Sequence, residues 1–255
     1  MESAEIRKDR LISLLPPEIA ELRVYEETDS TSTQARRYAS DGGTAPALFV
    51  ADSQTSGRGR TGKTFYSPRG TGLYASLLLP ARAQSTVYMT TAAAVAVRRA
   101  IERITGISTD IKWVNDLYLN GKKIAGILCE SLFVGSVGYV IIGFGVNLST
   151  EEFPDELSDT AASLGLRSDE HLRDSLAAAC VDELLDVWKS GLTSSVLDEY
   201  KKHSAVLGKE IRYCENQVWR EGIAESIDIE GRLGVRLKDG SEAWLSSGEI
   251  TVRLI

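Results

Sequence analysis

Between Ser53 and Gly70 the chain reads SQTSGRGRTGKTFYSPRG, with Arg58, Arg60 and Lys63 set among closely spaced glycines. Gly57, Gly59 and Gly62 match G-x-G-x-x-G, the dinucleotide fingerprint, and Gly57, Gly62, Lys63 and Thr64 match the P-loop G-x-x-x-x-G-K-[ST]. Both motifs hold phosphate at the N-terminus of a helix that follows the glycines. Here the chain continues FYSPRGTG, and Pro68, Gly70 and Gly72 exclude that helix. A Rossmann unit also places an acidic residue about 20 positions on, where LYASLLL has none, and YVIIGFGVNL ends in Asn147 where a P-loop enzyme needs Asp. The letters match and the mechanisms do not. Glycine gives up backbone entropy and clustered cations repel one another. A loop that orders around a small phosphate-bearing anion accounts for both costs, and a mobile surface loop with solvated charges is the plain alternative.

A second constellation lies in DLYLNGKKIAG, residues 116 to 126. The Asn120-Gly121 pair is a two-residue hairpin signal, so Leu119 faces Lys122 and Tyr118 faces Lys123. Alternation then puts Asp116, Tyr118, Lys123 and Ala125 on one face, with Leu117, Leu119, Lys122 and Ile124 on the other. Asp116 and Lys123 become diagonal neighbours. The bland reading is a surface ion pair worth well under about 1 kcal/mol. The functional reading is a lysine at the floor of a cleft, beside a carboxylate able to position a polar group or a metal. The apolar AGILC that follows, and Lys112, Trp113 and Asn115 upstream, favour the second. Gly143, Gly145 and Asn147 would give that cleft a wall of close backbone approach.

These residues need a scaffold. Residues 4–15 read as a short amphipathic helix stopped by Pro16 and Pro17, and VYEE at 24–27 reads as a strand. Ser30 or Thr31 could cap a helix over 33–40 that ends at Gly42 and Gly43. ALFVAD, GLYASLLLP and YVIIGFGVNL read as buried strands, and 86–105 as a long Ala-rich helix stopped by Gly106. Helices follow at about 170–189 and 193–203. After Leu207 only short strands separated by Gly, Asn and Asp remain, which predicts a small barrel.

A net charge of −7 over 255 residues argues against non-specific polyanion binding. Three scattered cysteines and two histidines support neither a disulfide framework nor zinc chemistry, and they fit a reducing compartment. The charged opening MESAEIRKDR is no signal peptide, and TTAAAVAV is far shorter than the ~18 residues a span needs. A cytoplasmic protein that engages neither membrane nor nucleic acid is expected.

In order and spacing, GRGR, KW-x-ND and GKK-x-AGIL make the chain resemble the biotin–protein ligases, from DSTST at 29–33 to the terminal GEITVR. The resemblance implies an α+β fold: a class II synthetase-like mixed sheet flanked by helices over 23–206, and a small SH3-like barrel over 207–255, after a short segment at 1–22. It implies an ATP-dependent, adenylate-forming ligase that makes biotinyl-5′-AMP and transfers biotin to a lysine of a carboxylase's biotin carrier protein. Lys123 and Arg60 take the catalytic positions. Ser30, Thr31, Ser32, Gln54, Gly57, Arg58, Gly59 and Gly126 join them in matching biotin-binding positions. Phe65, Asn115, Asp116, Asn147 and Arg253, with Arg58, Arg60 and Lys123, match ATP-binding positions, and Asp116 would meet Mg²⁺ with the phosphates. Phe65 stands where relatives often have Trp, Ser32 where they have Asn, and Val114 where they have Pro. About 22 residues precede the similarity, too few for a winged-helix domain, so a ligase that is not a repressor is expected. The nearest alternative is a lipoate or octanoate ligase or transferase of the same fold. Monomer and homodimer both stay open.

Overall fold

The protein is seen in a computed structural model that describes residues 6–82, 86–167, 170–215, 218–246 and 251–254. Helix α1 (Lys8–Leu14) leads into β1 (Glu21–Thr28), α2 (Thr31–Ser40), β2 (Ala47–Gln54) and β3 (Gly72–Pro80). After α3 (Thr86–Thr105) come β4 (Asp110–Lys112), β5 (Asp116–Leu119), β6 (Lys122–Val134) and β7 (Val137–Asn147). A short α4 (Asp155–Ser158) precedes α5 (Glu170–Ser190) and α6 (Ser194–Lys202). The last strands are β8 (Glu210–Glu215), β9 (Val218–Ile227), β10 (Leu233–Leu237), β11 (Glu242–Leu245) and β12 (Thr251–Leu254).

Strands β1 to β7 form one mixed sheet in the order β1-β2-β3-β7-β6-β5-β4. The β1–β2 pair is parallel and the other pairs are antiparallel. The central strands are apolar at nearly every position because both faces are covered, and side chains alternate between two cores. Leu48, Val50, Leu77, Leu79 and Ile142 join the large core with α3 and α5. Phe49, Leu78 and Ile141 point the other way, onto Ala35 and Ala39 of α2. Helix α2 covers only part of that second face. The remainder, where β3, β7 and β6 run side by side, is roofed by the glycine-rich β2–β3 connection and holds the cleft described below.

Strands β8 to β12 form a separate antiparallel sheet in the order β11-β10-β9-β8-β12, where the sequence texture predicts a small barrel and the family resemblance an SH3-like one. Its turn at Gly231 docks on the larger unit, where Trp113 Nε1 donates to Gly231 O at 2.9 Å. Gly231 has φ +77°, and a Cβ there would lie 2.5 Å from Thr91 Oγ1, so both backbone and contact demand glycine.

The expected elements are present with shifted ends. Helix α1 starts at Lys8, and the expected residues 4 and 5 lie outside the described ones. Strand β1 begins three residues earlier than VYEE. Helix α2 begins at Thr31 with Ser30 at the N-cap, yet Ser30 makes no side-chain cap bond. The hydroxyl of Thr31 is committed to the cleft instead, bonding Ser76 and Gln54. Among the described residues no helix is long and apolar enough to cross a membrane.

Candidate functional site

The cleft is open at its mouth and holds about 440 Å³ of space not filled by atoms, open solvent included. One end is buried and presents neutral hydroxyls and an amide. Ser76 Oγ, fully buried on β3, meets Thr31 Oγ1 at 2.8 Å and Ser32 Oγ at 2.9 Å. Gln54 Oε1 accepts from Thr31 N at 2.9 Å, while Gln54 Nε2 donates to Ser67 Oγ at 2.9 Å. Ser76 pairs with Gly143 across β3–β7, and a Cβ on Gly143 would sit 2.6 Å from Ser32 Oγ. Glycine there leaves room for the hydroxyls.

Between the two ends the cleft is bordered by Leu128 and the Phe65 ring, while Ala75, Ile127 and Phe144, which also border it, send their side chains into the large core on the other face. The floor is the cross-strand pair Gly126–Gly145. Phe65 lies on it: a Cβ on Gly145 would be 2.4 Å from Phe65 Cε1, and one on Gly126 3.3 Å from Phe65 Cε2. The Phe65 ring also meets Tyr74 edge-on, with centroids 6.3 Å apart, and Lys123 Nζ stands 5.8 Å from its centre.

The opposite end carries charge. Lys123 Nζ lies 2.7 Å from Asp116 Oδ1. The hairpin pairs Leu119 with Lys122 and Tyr118 with Lys123 as expected, but beyond it the register shifts so that Leu117 faces Ala125 and Asp116 faces Gly126. Ile124 is the extra residue of a β-bulge. Simple alternation therefore misplaces Ala125, which is fully buried in the main core, and it is Gly126 that shares the cleft with Lys123. Arg60 Nη1 donates to Asn115 Oδ1 at 3.2 Å, and Asn115 Nδ2 is held by Ile127 O at 2.7 Å. Burial pulls the Arg60 guanidinium below its ordinary value, with the Asp116 carboxylate opposing that shift. Burial and the same carboxylate hold the Tyr118 and Tyr200 phenols up, so both stay protonated.

The roof is a tight excursion. Gly59 N donates to Lys63 O at 2.7 Å, Arg58 bridges Thr64, and Phe65 N donates to Gly57 O at 2.8 Å. A single 3-10 turn over Arg60–Gly62 takes the place of the helix that either nucleotide motif would need. A Cβ on Gly57 would fall 2.4 Å from Phe65 O, so this glycine closes the base of the loop. The two arginines leave the loop in different directions, Arg60 to Asn115 and Arg58 to Glu130 Oε1 at 2.8 Å.

Ser30, Thr31, Ser32, Gln54, Arg58, Gly59, Arg60, Phe65, Asn115, Lys123 and Gly126 thus border one cleft. Asp116 stands behind Lys123. Asn147 is turned aside, buried, with Nδ2 donating to Ala162 O at 3.0 Å. Arg253 lies on β12 opposite Arg212, and its side chain is outside what the structure describes. Among the neighbours that escaped the sequence reading are Ser76, Leu128 and Glu130. Among the described residues no group of three or more acidic, His or Cys side chains could hold a metal.

Two family models match. Residues 24–147 match the biotin/lipoate A/B protein ligase family, and residues 206–253 match the biotin protein ligase C-terminal domain. The solved biotin protein ligase of Aquifex aeolicus, in complex with biotin and ATP, superposes with a TM-score of 0.79 at 25% identity, over 93% of this chain and 100% of that one. The bifunctional ligase/repressor BirA of Bacillus spizizenii is 43% identical over 58% of this chain and 48% of its own length. The biotin–[acetyl-CoA-carboxylase] ligase of Mycobacterium tuberculosis is 26% identical over 90% of this chain and 88% of its own. The similarity to the Bacillus protein therefore spans about half of that relative's length. With one model over the cleft-bearing sheet and the other over the C-terminal strands, the chain carries a catalytic domain of the biotin/lipoate A/B protein ligase family and the C-terminal domain of biotin protein ligases.

Proposed function

We propose that the chain is a biotin–protein ligase that activates biotin with ATP and then biotinylates one lysine of a carboxylase's carrier protein. The observation that carries this reading is the polarity of the cleft: buried neutral hydroxyls and an amide at one end, Leu128 and the Phe65 ring along it, and Lys123 with Arg60 at the other. Biotin has the same sequence of parts, with a ureido ring, a hydrocarbon tail and a carboxylate. Lipoate would set an apolar ring against Thr31, Ser32 and Ser76 and leave their hydrogen-bonding capacity unanswered. A site built for hydrogen bonding rejects such an analogue strongly.

In the first step a biotin carboxylate oxygen attacks the α-phosphorus of ATP, a mixed anhydride forms, and pyrophosphate leaves. Carboxylate and triphosphate repel one another. Lys123 and Arg60 offset that repulsion and stabilise the charge that builds on the α-phosphate. Asp116 Oδ1, 2.7 Å from Lys123 Nζ, gives the lysine a counter-charge beside the cleft. In the second step the carrier lysine's amine attacks the acyl carbon and AMP leaves. Phe65 would swing from the glycine floor to lie against adenine, while Gly57 and Gly59 bring the loop backbone close.

Mg²⁺ is bound by phosphates with one or two carboxylates, and Asp116 is the carboxylate in place for it at the charged end. The ion would enter with the nucleotide and neutralise phosphate charge. Calorimetric titration separates biotin from lipoate. Saturable biotin binding, with no heat from lipoate, supports the reading, and tighter binding of lipoate overturns it.

A further inference from the structure

Glu130 lies on the cleft face of β6, past Leu128, at the end of the site remote from Lys123. Its Oε1 accepts from Arg58 Nη2 of the loop at 2.8 Å and from Arg36 Nη2 of α2 at 3.1 Å. The carboxylate is only 17% exposed. Its second oxygen is buried and accepts no hydrogen bond among the described residues. The other loop arginine, Arg60, is tied to Asn115 at the opposite end of the cleft. The β2–β3 loop is thus fastened across the site by Arg58 to a carboxylate and by Arg60 to a side-chain amide.

We infer that Glu130 is a positioning residue that holds the loop shut through Arg58 and so retains the acyl-adenylate until the carrier lysine arrives. This rests on the ligase reading given above. Arg36 belongs to the helix that supplies Thr31 and Ser32, so the same carboxylate joins the roof to the buried polar end. A charge-assisted bond is about twice as strong as a neutral one, which favours closure. Because only one carboxylate oxygen is engaged, the contact is not the bidentate fork that would lock the arginine in place. Releasing Arg58 from Glu130 needs one bond to break. When the loop opens early, water attacks the acyl carbon and gives biotin and AMP, so pyrophosphate is released without a biotinylated carrier.

The test replaces Glu130→Gln, which keeps shape and removes charge. Two quantities are read: tryptic cleavage after Arg60 and Lys63 in the ligand-free protein, by mass spectrometry of the new termini, and the ratio of pyrophosphate released to carrier biotinylated. Several-fold faster cleavage at an unchanged Tm, with a several-fold higher ratio, is the expected result. Adding Glu130→Gln to Arg58→Gln should change neither quantity further. If Glu130→Gln does not fold, Arg58→Gln alone should raise cleavage after Lys63. Wild-type cleavage rates in the variants overturn the fastening, and faster cleavage with an unchanged ratio overturns the retention role. If the wild-type protein releases no biotin-dependent pyrophosphate, the ligase reading fails, while the cleavage measurement still decides whether Glu130 holds the loop.

Discussion

Lys123 Nζ stands 2.7 Å from Asp116 Oδ1 on the face that also carries Gly126, an arrangement created by the bulge at Ile124. The bulge brings Gly126, in place of Ala125, onto the face where Lys123 meets its counter-charge. Lys123→Ala is expected to slow biotin-dependent pyrophosphate release by about 10²–10³-fold, the effect of removing one charge-stabilising donor. The pair is partly exposed, so stability should change by only about 0–1 kcal/mol. Stopped-flow pyrophosphate detection and a thermal melt check both parts. Full activity would mean that the lysine is misassigned.

Gly143→Ala tests the buried end. The new Cβ would stand 2.6 Å from Ser32 Oγ and push that hydroxyl out of its bond with Ser76. Loss of one hydrogen bond of about 1 kcal/mol predicts biotin binding weakened by roughly fivefold to tenfold. ATP binding, measured separately, should hold.

Ser76→Ala removes the hydroxyl that touches both Thr31 and Ser32. Since Ser76 is fully buried, those two groups lose a partner that water cannot replace. Biotin affinity is expected to fall by about tenfold or more, as a group left unpaired costs about 1–3 kcal/mol. Calorimetry with the folded variant gives the answer.

A fourth prediction concerns pH. His203 Nε2 stands 2.8 Å from Arg98 Nη2, so its ring must accept there and be neutral. Partial burial, then the Arg98 and Lys202 charges, lower its pKa below the ordinary 6.5. The unfolded chain therefore binds the proton more readily, and this contribution to stability is full above pH 6.5 and lost as pH falls through the folded value. Tm should drop between pH 7 and pH 5 by more in the wild type than in His203→Gln. Equal slopes would remove His203 from the account.

Local chemistry was legible in the sequence, and long-range pairing was not. Pro68 and Gly70 ruled out a helix after the glycine loop, and Asn120-Gly121 placed the hairpin turn. The bulge at Ile124 was hidden because AGILC is apolar on both faces, and alternation carries no register signal where neither face is polar. Ser76 was lost inside LYASLLL, where a single small hydroxyl does not disturb a strand pattern. Glu130 looked like the polar end of an apolar strand. Its importance comes from Arg36, 94 positions away, and Arg58, 72 positions away. Such partners meet only through the sheet order β3-β7-β6, which no local pattern encodes.

The most direct test of the central claim is an incubation of the purified chain with biotin, ATP, Mg²⁺ and a biotin carrier domain. Pyrophosphate release and the mass of the carrier are followed together. The account predicts biotin-dependent pyrophosphate release, with a single biotinyl addition to one carrier lysine that disappears in Lys123→Ala. Neither pyrophosphate nor a carrier mass shift, from a protein that is folded and supplied with all four components, would contradict it.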